Sequence, residues 1–415
     1  MDKGYETTYF TDYVLITERQ KNVCFKMPME QYSSSQESYI NGVIDSITKL
    51  RKKKNIEPLK GLDNRLNTLY LFVTNSCNLK CSFCSMRSDN PNVEKNSLMV
   101  EEISDEFIDK IETANPRKII ISGGEPFILK DIVVILSKLR ERLSSQIIVQ
   151  SNGWLLSEEL IADIKGKVDS IELSTAHMLD LVRLESLVSL LKINEIDTVL
   201  TFIYENELDV KKMKEVMDIC AKYDSDFLLH FVDYAGSAAD KQYKFLEYED
   251  RLKVYLLFIK YMLDEDYCKK RFATNLFYST QLSHPCSAYG KMAAVFPDGN
   301  IYLCHTLTED KYQVGMLNEN FSLMDQINKV THDEKVEKLF NIENNEKCSN
   351  CKFKVICGGI CPNLIDNQIE SDCTLRKIMY SFNIFKLDKN ISIRDNLLNF
   401  VEFCDSKEYL KYILD

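Results

Sequence analysis

The sequence predicts an α/β protein: a partial (β/α)6 barrel of the TIM type, preceded by a small α+β appendage and followed by a cysteine-rich domain. Three observations carry this. From Leu69 to about Tyr234, short apolar runs alternate with longer amphipathic stretches, the rhythm of parallel strands joined by helices. Ten of the fourteen cysteines fall into tight groups, three between 77 and 84 and seven between 286 and 373. With 415 residues and 45% apolar content, the chain can bury two or three cores.

Residues 1–66 hold two predicted strands, Tyr13 to Thr17 and Val23 to Met27, and a helix from about Gln36 to Lys53. The barrel, residues 67–240, has six predicted strands: Tyr70 to Thr74, Lys118 to Ser122, Gln146 to Gln150, Ser170 to Ser174, Thr198 to Tyr204 and Asp226 to Val232. Helix-period segments such as Ile103 to Thr113 and Val210 to Tyr223 join them. Residues 241–284 read as a helical bridge with a helix from Tyr248 to Leu263, residues 285–380 as the cysteine-rich domain, and residues 381–415 as helices.

A formal charge of −11 disfavours a nucleic-acid partner. The basic run Lys49, Arg51, Lys52, Lys53 and Lys54 reads as a solvated helix face. No stretch of about 18 apolar residues is present, and Met1-Asp2-Lys3-Gly4 opens no export signal, so no membrane partner is expected and the protein is expected in the cytoplasm. There thiols stay reduced, and the clustered cysteines read as metal ligands. The scattered Cys24, Cys220, Cys268 and Cys404 read as small core residues.

Directly after the first barrel strand stands Cys77-Asn78-Leu79-Lys80-Cys81-Ser82-Phe83-Cys84. A [4Fe–4S] cluster used only for structure or electron transfer takes four thiolates. Three from one loop leave an iron open for chemistry. The alternative is a zinc site completed by a remote ligand. Gly123-Gly124-Glu125-Pro126 follows the second strand, Ser151-Asn152-Gly153 the third, and Ser174 ends the fourth.

In this CxxxCxφC loop, with Phe83 as its aromatic, and in the GGEP element that follows, the sequence resembles the radical S-adenosylmethionine superfamily. The resemblance implies that Cys77, Cys81 and Cys84 hold a [4Fe–4S] cluster whose open iron chelates S-adenosylmethionine. One-electron cleavage then yields a 5′-deoxyadenosyl radical that abstracts hydrogen from substrate. It implies cofactor contacts from Phe83, Gly123, Gly124, Glu125, Pro126, Ser151, Asn152 and Ser174, and from Arg183 as a fork on the methionine carboxylate. The two glycines are expected to let backbone approach the cofactor.

The second group runs Cys286, Gly299 and Cys304, then Cys348, Cys351, Cys357 and Cys361, closed by Cys373. Seven thiols exceed one tetrahedral zinc, leaving two metal sites or one site with spare thiols. The spacing resembles a SPASM domain, which implies two auxiliary [4Fe–4S] clusters: an outer one on Cys348, Cys351, Cys357 and Cys373, and an inner one on Cys286, Cys304 and Cys361. Some relatives carry a further cysteine a few residues before the first, where this sequence has Thr280, and Cys268 lies eighteen residues upstream of Cys286. The inner cluster is then expected to have an open iron too, as in relatives that bind a substrate cysteine there. His305 stands where sulfatase-maturating relatives carry an aspartate base, and is a candidate proton carrier.

The resemblance thus implies a maturase that joins a cysteine sulfur to carbon in a ribosomally made precursor peptide. Carbon–carbon crosslinking and formylglycine formation on a sulfatase are the alternatives, with a non-catalytic metal-bound scaffold or electron carrier as the third. Expected partners are a precursor peptide with its leader segment, which residues 1–66 would grip as an RRE-like element or else cover as a lid, and a flavodoxin or ferredoxin as electron donor.

Overall fold

The computed structural model describes residues 4–53 apart from 22, residues 65–175 apart from 89, 91 and 93, residues 180–274 apart from 233, 241, 242 and 244, and residues 286–414 apart from 360 and 365–368. Thr280 lies outside the described residues.

Three antiparallel strands, β1 (Glu6–Tyr9), β2 (Tyr13–Glu18) and β3 (Val23–Pro28), open the chain. The helix Glu37–Lys53 sets Ile40 and Ile44, one turn apart, on Val14, Ile16, Val23 and Met27. Alternation in β2 sends Leu15 the other way, into the main core together with Phe10. Phe10 meets Phe385 at 4.9 Å and Phe353 at 5.5 Å, and Lys26 Nζ donates to the Phe385 carbonyl at 3.2 Å. The appendage is therefore docked on the cysteine-rich region and the C-terminal helices.

Six parallel strands follow: β4 (Thr68–Thr74), β5 (Lys118–Gly123), β6 (Gln146–Ser151), β7 (Ser170–Ser174), β8 (Asp197–Tyr204) and β9 (Asp226–Phe231), paired in chain order. Leu69, Leu71, Val73, Ile119, Ile121, Ile147 and Val149 pack under the helices. The alternate residues, among them Tyr70, Phe72, Gln150 and Glu172, face the concave side. Helices restart promptly after the loops because Ser104, Ser157 and Asp180 cap them, accepting from the N–H of Phe107, Leu160 and Arg183.

The sheet extends beyond these six strands. β10 (Met292–Val295) pairs parallel with β4, and β11 (Asn300–Tyr302) and β12 (Gln313–Met316) follow antiparallel, giving the order β12-β11-β10-β4-β5-β6-β7-β8-β9. The cysteine-rich region thus shares a sheet with the barrel, which sequence alone does not reveal: β10 has four residues and β11 three, too short to display a period. The helix Tyr248–Asp264 bridges the two parts, and Ile369–Phe385 and Ile393–Asp405 close the chain. Among the described residues, no helix is long and apolar enough to cross a membrane.

Candidate active site and cysteine centres

The three-cysteine loop leaves the C-terminal end of β4, the rim on which the six barrel strands all end. It is built by short local bonds: the Cys84 N–H donates to the Cys81 carbonyl at 3.3 Å, the Leu79 N–H to Cys77 Sγ at 3.4 Å, and the Ser88 N–H to Cys84 Sγ at 3.3 Å. Backbone donors aimed at sulfur favour the thiolate form, the one that ligates metal. Without metal, burial still holds the Cys77 thiol above its ordinary range, with the Leu79 N–H acting against it.

Gly123 and Gly124 have a structural task of their own. A Cβ on Gly123 would lie 2.1 Å from the Thr74 carbonyl oxygen, and one on Gly124 would lie 2.1 Å from that of Ser76. The Gly124 N–H donates to Thr74 at 2.7 Å and the Glu125 N–H to Ser76 at 2.9 Å. These glycines seat the root of the cysteine loop on the neighbouring strand, and the approach they permit is that of backbone to backbone.

Glu125 is fully buried, and its carboxylate faces protein. Oε1 accepts from Ser151 Oγ at 2.8 Å and from the Phe127 N–H at 3.2 Å, and Oε2 accepts from the Asn152 N–H at 2.8 Å. Ser151 Oγ in turn accepts from the Gly153 N–H at 3.0 Å. Glu125 and Ser151 tie two loops together, and Pro126 is buried at the first position of the 3-10 turn Pro126–Ile128. Asn152 does reach the cysteines: its Nδ2 donates to Asn78 Oδ1 at 2.8 Å and lies 3.8 Å from Cys77 Sγ.

Arg183, held in the first turn of its helix by the Asp180 cap, donates from Nη2 to the Trp154 carbonyl at 2.6 Å and lies 5.3 Å from the Trp154 ring centre. It therefore stands on the rim beside the Asn152 loop. Ser174 ends β7 paired with Thr201, and Phe83 is half-buried within the cysteine loop. Sequence reasoning missed the return segment after β9. Gly236, at φ +53°, would set a Cβ 2.2 Å from the Cys84 carbonyl oxygen, to which the Ser237 N–H donates at 2.9 Å. Arg87 then clasps Asp240 at 2.6 and 3.0 Å.

The seven later cysteines fall into two groups. Cys348, Cys351, Cys357 and Cys373 line one cavity of about 350 Å³. Burial pushes the Cys373 thiol up to about 11, and Cys357 and Cys348 push the same way. In the second group burial raises Cys361 to about 11, with Cys286 and Cys304 adding to it. Cys304 differs: burial raises it, but the His305 ring, 3.6 Å away, and Thr306 outweigh this and hold it at about 7. The His305 ring also lies 4.5 Å from that of Tyr70 on β4, so this group borders the barrel's concave face, where Gln150 donates to Glu172 at 2.8 Å. Cys268 is buried near the Met262 carbonyl, away from both groups. Among the described residues, no three ligand side chains converge as a single ion requires.

Residues 71–227 match the sequence model of the Radical SAM superfamily. The chain carries a radical SAM domain. It is accordingly an enzyme, and its cofactors are S-adenosylmethionine and a [4Fe–4S] cluster. The chain is 34% identical over 101 residues to the GTP 3′,8-cyclase of Peptoclostridium acidaminophilum, which is 24% of this chain and 31% of that protein. It is 22% identical over 359 residues to the cysteine-type anaerobic sulfatase-maturating enzyme of Clostridium perfringens (strain 13 / Type A), 77% of this chain and 95% of that one.

The fold is that of two solved structures. Native anSMEcpe with bound AdoMet superposes with a TM-score of 0.57 at 19% identity, over 81% of this chain and 99% of that chain. Streptococcus suis SuiB bound to the precursor peptide SuiA superposes with 0.56 at 14% identity, over 89% and 97%. The radical SAM domain fits its cofactors by the chemistry of its donors: three thiols on one rim loop, backbone N–H groups on two of them, and a carboxamide on the third loop.

Proposed function

We propose that this chain is a cytoplasmic peptide maturase that joins a cysteine sulfur to carbon in a precursor peptide. Cys77, Cys81 and Cys84 hold the cluster, which when bound supplies the electron that splits S-adenosylmethionine into a hydrogen-abstracting radical. Asn152 orients the loop through Asn78, and Arg183 on the rim receives the methionine carboxylate. The seven later cysteines hold two auxiliary clusters, the group of four an outer one and the group of three an inner one. A low-potential flavodoxin or ferredoxin delivers the electrons.

One observation carries the thioether reading: Cys286, Cys304 and Cys361 form a set of three whose His305 neighbour packs 4.5 Å from Tyr70, on the barrel's own strand β4. A substrate thiolate taken by the inner centre would thus lie beside the concave face where hydrogen is abstracted. From the end of β8 to the start of the helix Ile369–Phe385 lies a groove of about 1430 Å³, walled by Tyr204, Tyr243, Phe245 and Leu257, whose size and mixed polar and aromatic walls support a peptide substrate. The docked sheet β1-β2-β3 is the candidate grip for a leader segment, its outer strands offering edges to a fourth.

The similarity to a sulfatase-maturating enzyme across 95% of its length favours a second reading, formylglycine formation. One assay separates them. Anaerobic enzyme, S-adenosylmethionine and reductant are given a cysteine-bearing precursor peptide or a sulfatase-derived cysteine peptide. A thioether on the first, with the loss of a hydrogen pair, supports crosslinking; an aldehyde on the second, with the first untouched, overturns it.

A further inference from the structure

Arg376 lies one helical turn beyond Cys373 on the helix Ile369–Phe385, so both side chains project from the same face. It lines the cavity of Cys348, Cys351, Cys357 and Cys373, where Cys357 acts on it electrostatically. Its charge also acts on Cys286 and Cys361, members of the other group. Of the other cations on the cavity wall, Lys347 is paired with Glu370 at 2.8 Å and Lys354 with Glu343 at 2.9 Å, which cancels much of their field, while Lys377 adds a second positive charge beside Arg376. The nearby carboxylate Asp372 is taken by Arg251, at 2.5 Å. Arg376 thus sets a positive charge at the four-thiol cavity that also acts on the three-thiol group, in a chain whose net charge is −11.

We propose that Arg376 is a positioning residue that raises the reduction potential of the four-thiol centre and couples it electrostatically to the three-thiol one. The proposal rests on the reading that both groups hold [4Fe–4S] clusters. When a low-potential donor passes one electron to such a centre, [4Fe–4S]2+ becomes [4Fe–4S]+ and the centre gains one unit of negative charge. A cation at the wall beside the ligand sulfurs stabilises the reduced form more than the oxidised one. The same charge reaches the inner group more weakly, through Cys286 and Cys361.

The test uses the full chain, reconstituted anaerobically, with Arg376→Gln and Arg376→Lys, and reads iron and sulfide content and then midpoint potentials by dithionite titration followed by electron paramagnetic resonance. The expected result for Arg376→Gln is unchanged iron and a four-thiol centre about tenfold less reduced at a fixed potential, equivalent to about 59 mV for a one-electron couple. The three-thiol centre shifts the same way by less, and Arg376→Lys, which keeps the charge but not the planar fork, falls between. Full iron with unshifted potentials overturns the proposal. If Arg376→Gln loses iron, Arg376→Lys decides: iron held at a lowered potential supports it, whereas an unshifted potential, or iron lost here too, leaves Arg376 a structural prop and overturns it. A wild-type protein holding only about four irons would instead defeat the underlying reading of two auxiliary clusters.

Discussion

Ser151 Oγ donates to Glu125 Oε1 at 2.8 Å, and through that bond the loop after β5 is tied to the loop after β6. Three donors converge on the buried carboxylate. Glu125→Ala should therefore strand buried donors and destabilise the protein by about 3 kcal/mol, read as a lowered midpoint in thermal or urea unfolding. Unchanged stability would remove Glu125 from its role as a tie.

The same residue predicts a pH dependence. Burial raises the Glu125 pKa above 4.5 against the pull of its Asn152, Ser151 and Phe127 donors. A raised folded pKa means that the folded state binds the proton more tightly than the unfolded one. Its contribution is complete below about 4.5 and is lost as pH rises through the raised value. Glu125→Gln should flatten this limb of the stability profile; a limb that persists belongs to other groups.

Gly124→Ala places a methyl group where the Ser76 carbonyl stands, 2.1 Å from its oxygen, so the root of the cysteine loop must move. Expected are loss of the loop's iron, about four atoms, and of 5′-deoxyadenosine formation. Iron in the cysteine-rich region should persist, and the triple variant Cys77→Ala, Cys81→Ala, Cys84→Ala should behave alike. Loss of nearly all iron in either would contradict independent centres.

Trp154 is the only tryptophan, and Arg183 lies over its ring with Nη2 on its carbonyl. If Arg183 turns to receive the methionine carboxylate, S-adenosylmethionine should change Trp154 fluorescence, and Arg183→Ala should abolish the change and weaken binding at least tenfold. An equal response in the variant would leave Arg183 a support for Trp154.

Much of this was legible beforehand. The six parallel strands show as apolar runs because both faces of such a sheet are covered, and β4 to β9 fall within two residues of their expected bounds. The resemblance to a SPASM domain, rather than spacing alone, implied which cysteines would sit together, and Cys348, Cys351, Cys357 and Cys373 line one cavity. Hidden were relations that depend on the third dimension. β10 joins β4 across more than 200 residues, and Gly236 meets Cys84 from across the barrel mouth. Gly123, Gly124, Glu125 and Ser151 were singled out as cofactor contacts, and the structure adds a packing and hydrogen-bonding constraint at each that the motif did not display.

The central claim is that one chain carries a radical-generating cluster and two auxiliary ones. It is tested most directly by iron and sulfide content of the anaerobically reconstituted protein, with 5′-deoxyadenosine measured after adding S-adenosylmethionine and dithionite. The account predicts about twelve irons with matching sulfide, and cleavage. Zinc in place of iron, with no 5′-deoxyadenosine, would contradict it.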